Sequence, residues 1–563
     1  MLKRFLLLPT LFALACSAAP ATPPAADAAL PLAQLPAINT DRVLADITKL
    51  SSDEFEGRAP GSKGETLTVA YLTDQLKAIG LESGNPDGTW LQKASLVGIT
   101  PKPTGGFVVK KGAEKKELNI NNEVVVFSRR VTDEVKLDNS ELVFAGYGVQ
   151  APEFQWDDFK GVDVKGKTIV VLVSDPPIAK ADGTLDDAIF GGKAMTYYGR
   201  WTYKYDKAAE LGAAGVIIVH ETGPAGYGFN VVQNNSNERF NLSTPDKNMG
   251  TAAIQAWMSL DAATALCHMA GQDFQTLKTQ ALSRDFKPVP LGLTASVTVK
   301  QQLRPVESVN VVAKLTGSDP ALKDEYVIYT AHWDHLGIGT PKNGDTIYNG
   351  AADNASGTAM VMEIARAMKD VTPAPKRSVL FLFVTAEEQG LLGSQYYADF
   401  PLYPLEKTLA VINIDGINQW GRTKDLTVIG LGASDLDDYA KAAADEQSRA
   451  LTADAEPEKG FYYRSDHFNF ARKGVPAFDP DSGIEFIGKP EGYGKQKRDE
   501  YTNNDYHSPS DEVKPDWDLA GAAEDGRLFL AMGYRIANAE KFPEWKAGNE
   551  FKAIREKALA KSK

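Results

Sequence analysis

Apolar positions in this chain follow two spacings. Around Arg42 to Leu50, and again at Leu67, Ala70, Tyr71, Leu72, Leu76 and Ile79, they recur every three or four residues, the period of an amphipathic helix. The second pattern ends near Gly80, a residue suited to a helix C-terminus. Between them Glu56-Gly57-Arg58-Ala59-Pro60-Gly61-Ser62-Lys63-Gly64 reads as turn. From about residue 135 to 290, strand-like runs (141–149, 167–173, 215–221) alternate with Gly-rich turns, and Lys204–Gly212 reads as a helix feeding the strand Val216–Val219. From about 295 to 540 buried-strand runs alternate with helical patterns, the last at Asp518–Asn538 with Phe529, Met532 and Ile536 on one face. That order predicts a three-layer α/β/α sandwich with a mostly parallel central sheet, accompanied by a small mixed α/β unit. The polar tail after Pro543 predicts a short surface helix.

The first residues have a different character. Met1-Leu2-Lys3-Arg4 is basic, and Phe5 to Ala15 is apolar but shorter than the ~20 residues that span a bilayer. Residues 1–15 read as a secretory signal. Ala13-Leu14-Ala15 fits ordinary signal peptidase, while Cys16 directly after it gives the segment a lipoprotein-like form, with Ala13 where that form prefers Leu. Free export and a lipid anchor at Cys16 both stay open, as do periplasm, outer envelope and medium as destinations. The Ala/Pro-rich stretch 16–38 suits a tether. No later apolar run reaches spanning length.

Composition narrows the chemistry. Of 563 residues, 61 are Lys or Arg and 74 Asp or Glu; the net charge of −13 argues against nucleic acid as a partner. Two cysteines exclude a disulfide scaffold and a thiolate zinc cluster. A metal site would need His, Asp and Glu, and there are only six histidines. His220 and His268 have no acidic partners at ligand spacing and read as ordinary.

Three apolar runs end alike. Tyr326–Ala331 runs into His332-Trp333-Asp334-His335, Val379–Val384 into Glu387-Glu388, and Leu409–Ile414 into Asp415. The C-terminal edge of an open α/β sheet is where sites form. Asp353 lies in the small-residue loop Gly350–Gly357 before a helical pattern, and His507 in a loop before the last helix. Singly, each has a bland reading as a structural His, an N-cap or a solvated surface pair. Together His332, Asp353, Glu388, Asp415 and His507 can hold two divalent cations if one carboxylate bridges them. N/O ligands without sulfur suit zinc, with manganese or cobalt as alternatives. The Glu387-Glu388 pair offers a ligand and a base for a hydroxide between the metals. Asp334 is placed to hold the His332 ring by its far nitrogen.

The segments AHWDH (331–335), GAADNASG (350–357), TAEEQGLLGS (385–394), NIDGIN (413–418) and YHSPSDE (506–512) resemble the M28 family of zinc metallopeptidases, the di-zinc aminopeptidases. FEGRAPGSKGE resembles the start of that family's catalytic domain, and VKGKTIVVLV with AAELGAAGVIIVHE resembles an inserted protease-associated (PA) domain. The resemblance implies a zinc-peptidase-like fold divided as 39–132 and 291–545 (catalytic), 133–290 (PA insertion) and 546–563 (tail). It implies that His332 and Asp415 bind one zinc, Glu388 and His507 the other, and Asp353 both. Glu387 would be the general base/acid, Asp334 would orient His332, and Asp353–Asn354 would be cis. Asn-Ile-Asp-Gly departs from the Met that many relatives carry after the Asp. His467 and Arg464, in a segment resembling the family's Ser-Asp-His, and Tyr506 are candidates for substrate binding.

These readings lead to an exported metallopeptidase acting as an aminopeptidase on peptide substrates. A glutamate-carboxypeptidase-like carboxypeptidase or dipeptidase on the same site is the first alternative. A non-catalytic, receptor-like binding protein is the second. A serine hydrolase is excluded by the lack of a Gly-x-Ser-x-Gly elbow, and a single-zinc helix site by the lack of His-Glu-x-x-His.

Overall fold

The computed structural model of the chain describes residues 30–233 and 238–561. The signal segment and Cys16 lie outside the described residues. Among the described residues no helix is long and apolar enough to cross a membrane.

The half that carries the predicted ligands is built on the parallel strands Ser378–Val384, Tyr326–His332, Thr408–Asn413 and Ala477–Asp481. Asp425–Ile429 joins antiparallel at one edge, followed by Ala450–Ala453. Alternate side chains of each strand face opposite ways, and both faces are covered. Val327, Tyr329, Ala331, Phe381 and Phe383 pack with the helices Thr40–Leu50, Lys63–Ile79, Ser356–Asp370 and Ala520–Asn538. Ile328, Leu380 and Leu382 pack with Tyr397, Phe468, Phe470, Trp545 and Phe551 on the other side. This is the expected three-layer sandwich. The tail carries the helix Lys552–Lys561, anchored by the buried Trp545 and Phe551.

The second unit continues the same sheet. Val289–Leu315 spans both halves: its end pairs with Ser378–Val384, its beginning with Glu134–Phe144. From there Thr168–Leu172, Gly215–His220 and Ile254–Ser259 follow in parallel, with Val124–Phe127 antiparallel at the edge. Leu91–Lys111 runs alongside Val289–Leu315 from Val311 to Thr294.

Two boundaries therefore move. Val124–Phe127, read as catalytic within 39–132, belongs to the second unit's sheet, so residue 133 does not divide the two. The strand Leu91–Lys111 escaped the sequence reading because Pro101, Pro103, Gly105 and Gly106 look like breakers. At Pro101 and Pro103 it pairs on one side only, with Gln301 and Val299, and an edge tolerates proline. The tether also ends earlier than residue 38. Leu32, Leu35 and Ile38 are buried in the core, the Leu32 N–H donates to Glu446, and Arg527 donates to the Leu35 carbonyl. These apolar residues were hidden among Ala and Pro.

The turn before the second helix does more than reverse the chain. Arg58, fully buried, donates from Nε to the Trp333 carbonyl (2.9 Å), from Nη1 to those of Leu50 and Asn349 (2.8 and 2.6 Å), and from Nη2 to that of Gly350 (2.8 Å). One guanidinium thus fixes the loops that follow His332 and precede Asp353. Arg58→Met would leave those carbonyls buried without donors, each such loss costing about 1–3 kcal/mol. Urea unfolding is expected to show a loss of about 3 kcal/mol or more; a loss below about 1 kcal/mol would mean other donors replace it.

Candidate metal centre

His332 is the last residue of its strand. Past Val384 the chain turns out of the sheet at Ala386, in the left-handed region at φ 52°, and presents Glu387 and Glu388. Asp415 follows Thr408–Asn413 in the same way. Because these strands are parallel neighbours, all three ends open on one edge. Asp353 sits in an irregular turn, Ala351–Ala355, before the helix Ser356–Asp370, and the Asp353–Asn354 peptide is cis.

Two residues that sequence reasoning missed lock these loops together. Asn354 accepts from the Gly357 and Gly416 N–H groups at 2.8 and 2.9 Å and donates to the Ile414 carbonyl at 3.0 Å. Asp511 accepts from the N–H groups of Ala352 and Asp353 at 3.0 and 3.1 Å, tying the His507 loop to the Asp353 loop. Both stand inside the quoted motifs. Their roles depend on long-range partners that spacing does not show.

The five predicted ligands converge. His332 Nε2 lies 3.0 Å from Asp415 Oδ1 and 3.3 Å from Asp353 Oδ1. His507 Nε2 lies 2.9 Å from Glu388 Oε2 and 3.2 Å from Asp353 Oδ2. The two oxygens of Asp353 are thus divided between two imidazole–carboxylate groups. Glu387 Oε2 is 4.0 Å from His332 Nε2. A third imidazole enters: His335 Nδ1 is 2.5 Å from Glu388 Oε1. Two sets, His332–Asp353–Asp415 and His335–Asp353–Glu388, have their ligand atoms close enough to hold a metal ion. His335 thus touches a candidate ligand directly. Its place three residues after His332 was the only signal.

Other calls change. The His332 ring is held at Nδ1 by the backbone carbonyl of Asp334 (3.1 Å), not by its carboxylate, whose Oδ1 is 3.8 Å away. That oxygen instead accepts from the Glu387 N–H at 3.1 Å, because the strand end turns the side chain toward the neighbouring loop. His467 does not face substrate space. It is fully buried, edge-on to Tyr462 and 3.4 Å from Asp479. From that segment Ser465 reaches the centre, donating to Asp415 Oδ2 at 2.6 Å while accepting from Asn413 Nδ2 at 2.7 Å. Tyr506 is half-exposed and stacks on His507, with ring centres 3.9 Å apart. Arg464 and Tyr506 line a cleft of about 1150 Å³ that opens onto Asp353, Glu387 and Asp415. His220 lies among Tyr227, Phe229 and Trp257, away from any ligand set.

Burial and the mutual charges of the cluster shift its members in opposite directions. Burial alone lowers the His332 pKa, but the charges of Asp415 and Glu387 and the hydrogen bonds to Asp353 and Asp415 outweigh it and hold it well above the ordinary value. Burial raises Asp353, yet its hydrogen bonds to His332 and His507 keep it well below the usual range. Burial pushes Glu387 well above the usual range, opposed by His332 and reinforced by Asp415 and Glu388. Burial likewise pushes Asp334 up to about 8. Among the described residues no Lys or Arg forms an ion pair with Asp353, Glu387, Glu388 or Asp415; imidazoles are their direct partners, and the buried Arg58 acts on Asp353 and Glu388 only through its field. Oxygen and imidazole nitrogen donors, with a shared carboxylate at the middle, fit divalent cations of the zinc type.

Residues 310–531 match the model of peptidase family M28. This part of the chain is an M28 peptidase domain. The chain is 33% identical over 170 residues to the mouse aminopeptidase NAALADL1, covering 28% of this chain and 21% of that protein. It is 29% identical over 231 residues to the aminopeptidase YwaD of Bacillus subtilis, 40% of this chain and 44% of that one. The chain thus spans between a fifth and a half of these relatives' lengths. Among solved structures, an aminopeptidase from Aneurinibacillus sp. strain AM-1 aligns over 90% of this chain and 95% of its own, at 20% identity and a TM-score of 0.45.

His507 is held up to about 10: burial lowers it, but hydrogen bonds to Asp353 and Glu388 raise it more. Its contribution to stability is fully present below about 6.5, the unfolded value, and is lost as pH rises through about 10. A cation must displace that proton, so affinity should fall as pH falls. Calorimetric titration of zinc at pH 7 in buffers of different ionisation enthalpy is expected to reveal net proton release. Zinc binding without release would place the ion elsewhere.

Proposed function

We propose that the chain is a zinc-dependent aminopeptidase that takes two zinc ions and removes N-terminal residues from peptides. The observation that carries this reading is the division of Asp353 between two imidazole–carboxylate groups, His332 with Asp415 and His507 with Glu388. His332, Asp415, Glu388 and His507 would hold the ions, with Asp353 shared, and His335 would fix Glu388 through its other oxygen. When bound, the ions supply Lewis acidity toward the scissile carbonyl and acidify water.

The remaining work belongs to the chain. Glu387 stands beside the centre without serving either group, and burial has raised its proton affinity. It is suited to take a proton from water at Oε2 and return it to the leaving amine. Asp334 positions Glu387 through its backbone N–H and His332 through its own carbonyl. Ser465 holds the free oxygen of Asp415.

The second unit is read as a PA domain. Its residues Tyr147, Asp175 and Tyr227 wall the cleft opposite Trp420 and Phe461, which supports a part in shaping access to the centre. The leader read at residues 1–15 supports action outside the cytoplasm.

Glu387→Gln is expected to retain both metals by elemental analysis while lowering kcat on leucine anilide by about 10²–10⁴-fold. Near-normal turnover with the metals in place would remove Glu387 from this role. Hydrolysis of leucine anilide but not of an N-acetylated dipeptide, abolished by a chelator and restored by zinc, supports an aminopeptidase. The reverse preference would establish the carboxypeptidase alternative. Purified protein that binds no zinc and gains no activity from it would leave the receptor-like reading.

A further inference from the structure

The centre opens onto a second groove, of about 850 Å³, which reaches Glu388 and His507. Glu387, Arg464 and Tyr506 line both spaces, so the two meet at Glu387. The second unit walls this groove and brings Arg129, Arg200 and Arg239 to the same space as Arg464. Four guanidiniums beside a centre rich in carboxylates would ordinarily be consumed by ion pairs. Here, among the described residues, only Arg129 has one, with Asp206 at 3.6 Å. Arg239 lies over the Phe127 ring at 4.7 Å and Arg464 over the Phe461 ring at 5.3 Å. Arg200 has no ion pair, and its Nε is sealed from solvent without an acceptor.

A buried donor without an acceptor is costly. Burial lowers the Arg200 pKa to about 10 and the like charge of Arg464 adds to the effect, yet the group remains cationic at neutral pH. A guanidinium donates only, and it matches a carboxylate with two parallel hydrogen bonds. Asp399, on the groove's rim, is already engaged by Lys473 at 2.7 Å, and Asp246 accepts from backbone N–H groups of its own loop. Among the described residues no carboxylate forms an ion pair with Arg200 or Arg464, although Glu387 and Glu388 line the same groove.

We infer that Arg200 and Arg464 form a subsite for a substrate carboxylate on the Glu388 and His507 side of the scissile bond. The substrate class is then short peptides whose C-terminal carboxylate falls within reach, or peptides with an acidic residue just after the cleaved bond. The inference rests on the aminopeptidase reading above.

The test uses the zinc-loaded full chain and three substrates: Leu-Ala, with a terminal carboxylate; Leu-Ala-amide, with none; and Leu-Glu-amide, with a side-chain carboxylate. The readout is the ratio of kcat/KM for each acid to that for the neutral amide. Wild type is expected to favour at least one acid by tenfold or more, and which one identifies the source of the carboxylate. Arg200→Gln and Arg464→Gln should each bring that ratio toward one, and Arg464→Lys should recover part of it. If all three substrates are cleaved alike by wild type, or if the preference survives in both Gln variants, the arginine subsite is wrong while the aminopeptidase reading stands. If none is cleaved, the aminopeptidase reading falls and takes this one with it.

Discussion

Everything at this centre follows from negative charge crowded into a largely buried volume at the foot of the cleft. Asp353, Glu387, Glu388, Asp415 and Asp334 come together with three imidazoles as close neighbours. Carboxylates at such spacing repel one another strongly at low dielectric. Without a cation, the imidazoles must hold protons to keep the cluster together, which is why His332 and His507 are shifted upward. Arg58, fully buried beside the cluster, spends its donors on four backbone carbonyls rather than on the acids. It contributes a field without occupying a ligand, so the carboxylate oxygens remain free for divalent ions.

The rest of the sandwich keeps those groups from moving apart. Parallel strands deliver their C-terminal ends to one edge, and two buried faces pin each strand in register. What strands cannot fix, side chains do: Asn354 joins the Asp353 and Asp415 loops, and Asp511 joins the Asp353 and His507 loops. The site is therefore built by five chain segments from residue 332 to 507, and its geometry depends on cross-links among loops more than on any one helix or strand.

The sandwich and the strands that lead to His332, Glu387 and Asp415 were legible because each is a local event, an apolar run followed by a polar residue, and the five candidate ligands could be named from short local motifs. What stayed hidden depends on distance. Asp511 looks like any loop acid until the Asp353 turn is folded against it. The Asp334 carboxylate and carbonyl exchange roles because of where the strand turns, which spacing does not encode. His467 carries the same letter as a ligand but packs inside the core, while its neighbour Ser465 points outward to Asp415. Leu91–Lys111 was masked by prolines that an edge strand accommodates. The arginines of the second groove sit far apart in sequence, from Arg129 to Arg464, and only tertiary folding assembles them.

The two long strands that cross from one half of the molecule to the other have a mechanical meaning. Leu91–Lys111 and Val289–Leu315 pair antiparallel over most of their length, in one register from Thr298 to Val311 and with a shift between Ser296 and Thr298. A flexible linker would let the cleft walls drift; this paired ribbon couples their spacing to strand register. One residue removed from either strand would displace the far wall by about 3.3 Å and turn the following side chains to the opposite face. The width of the entrance is thus a property of residue count, as in a girder cut to length. Lengthening or shortening that girder would change what the cleft admits while leaving the residues at the sheet edge in place.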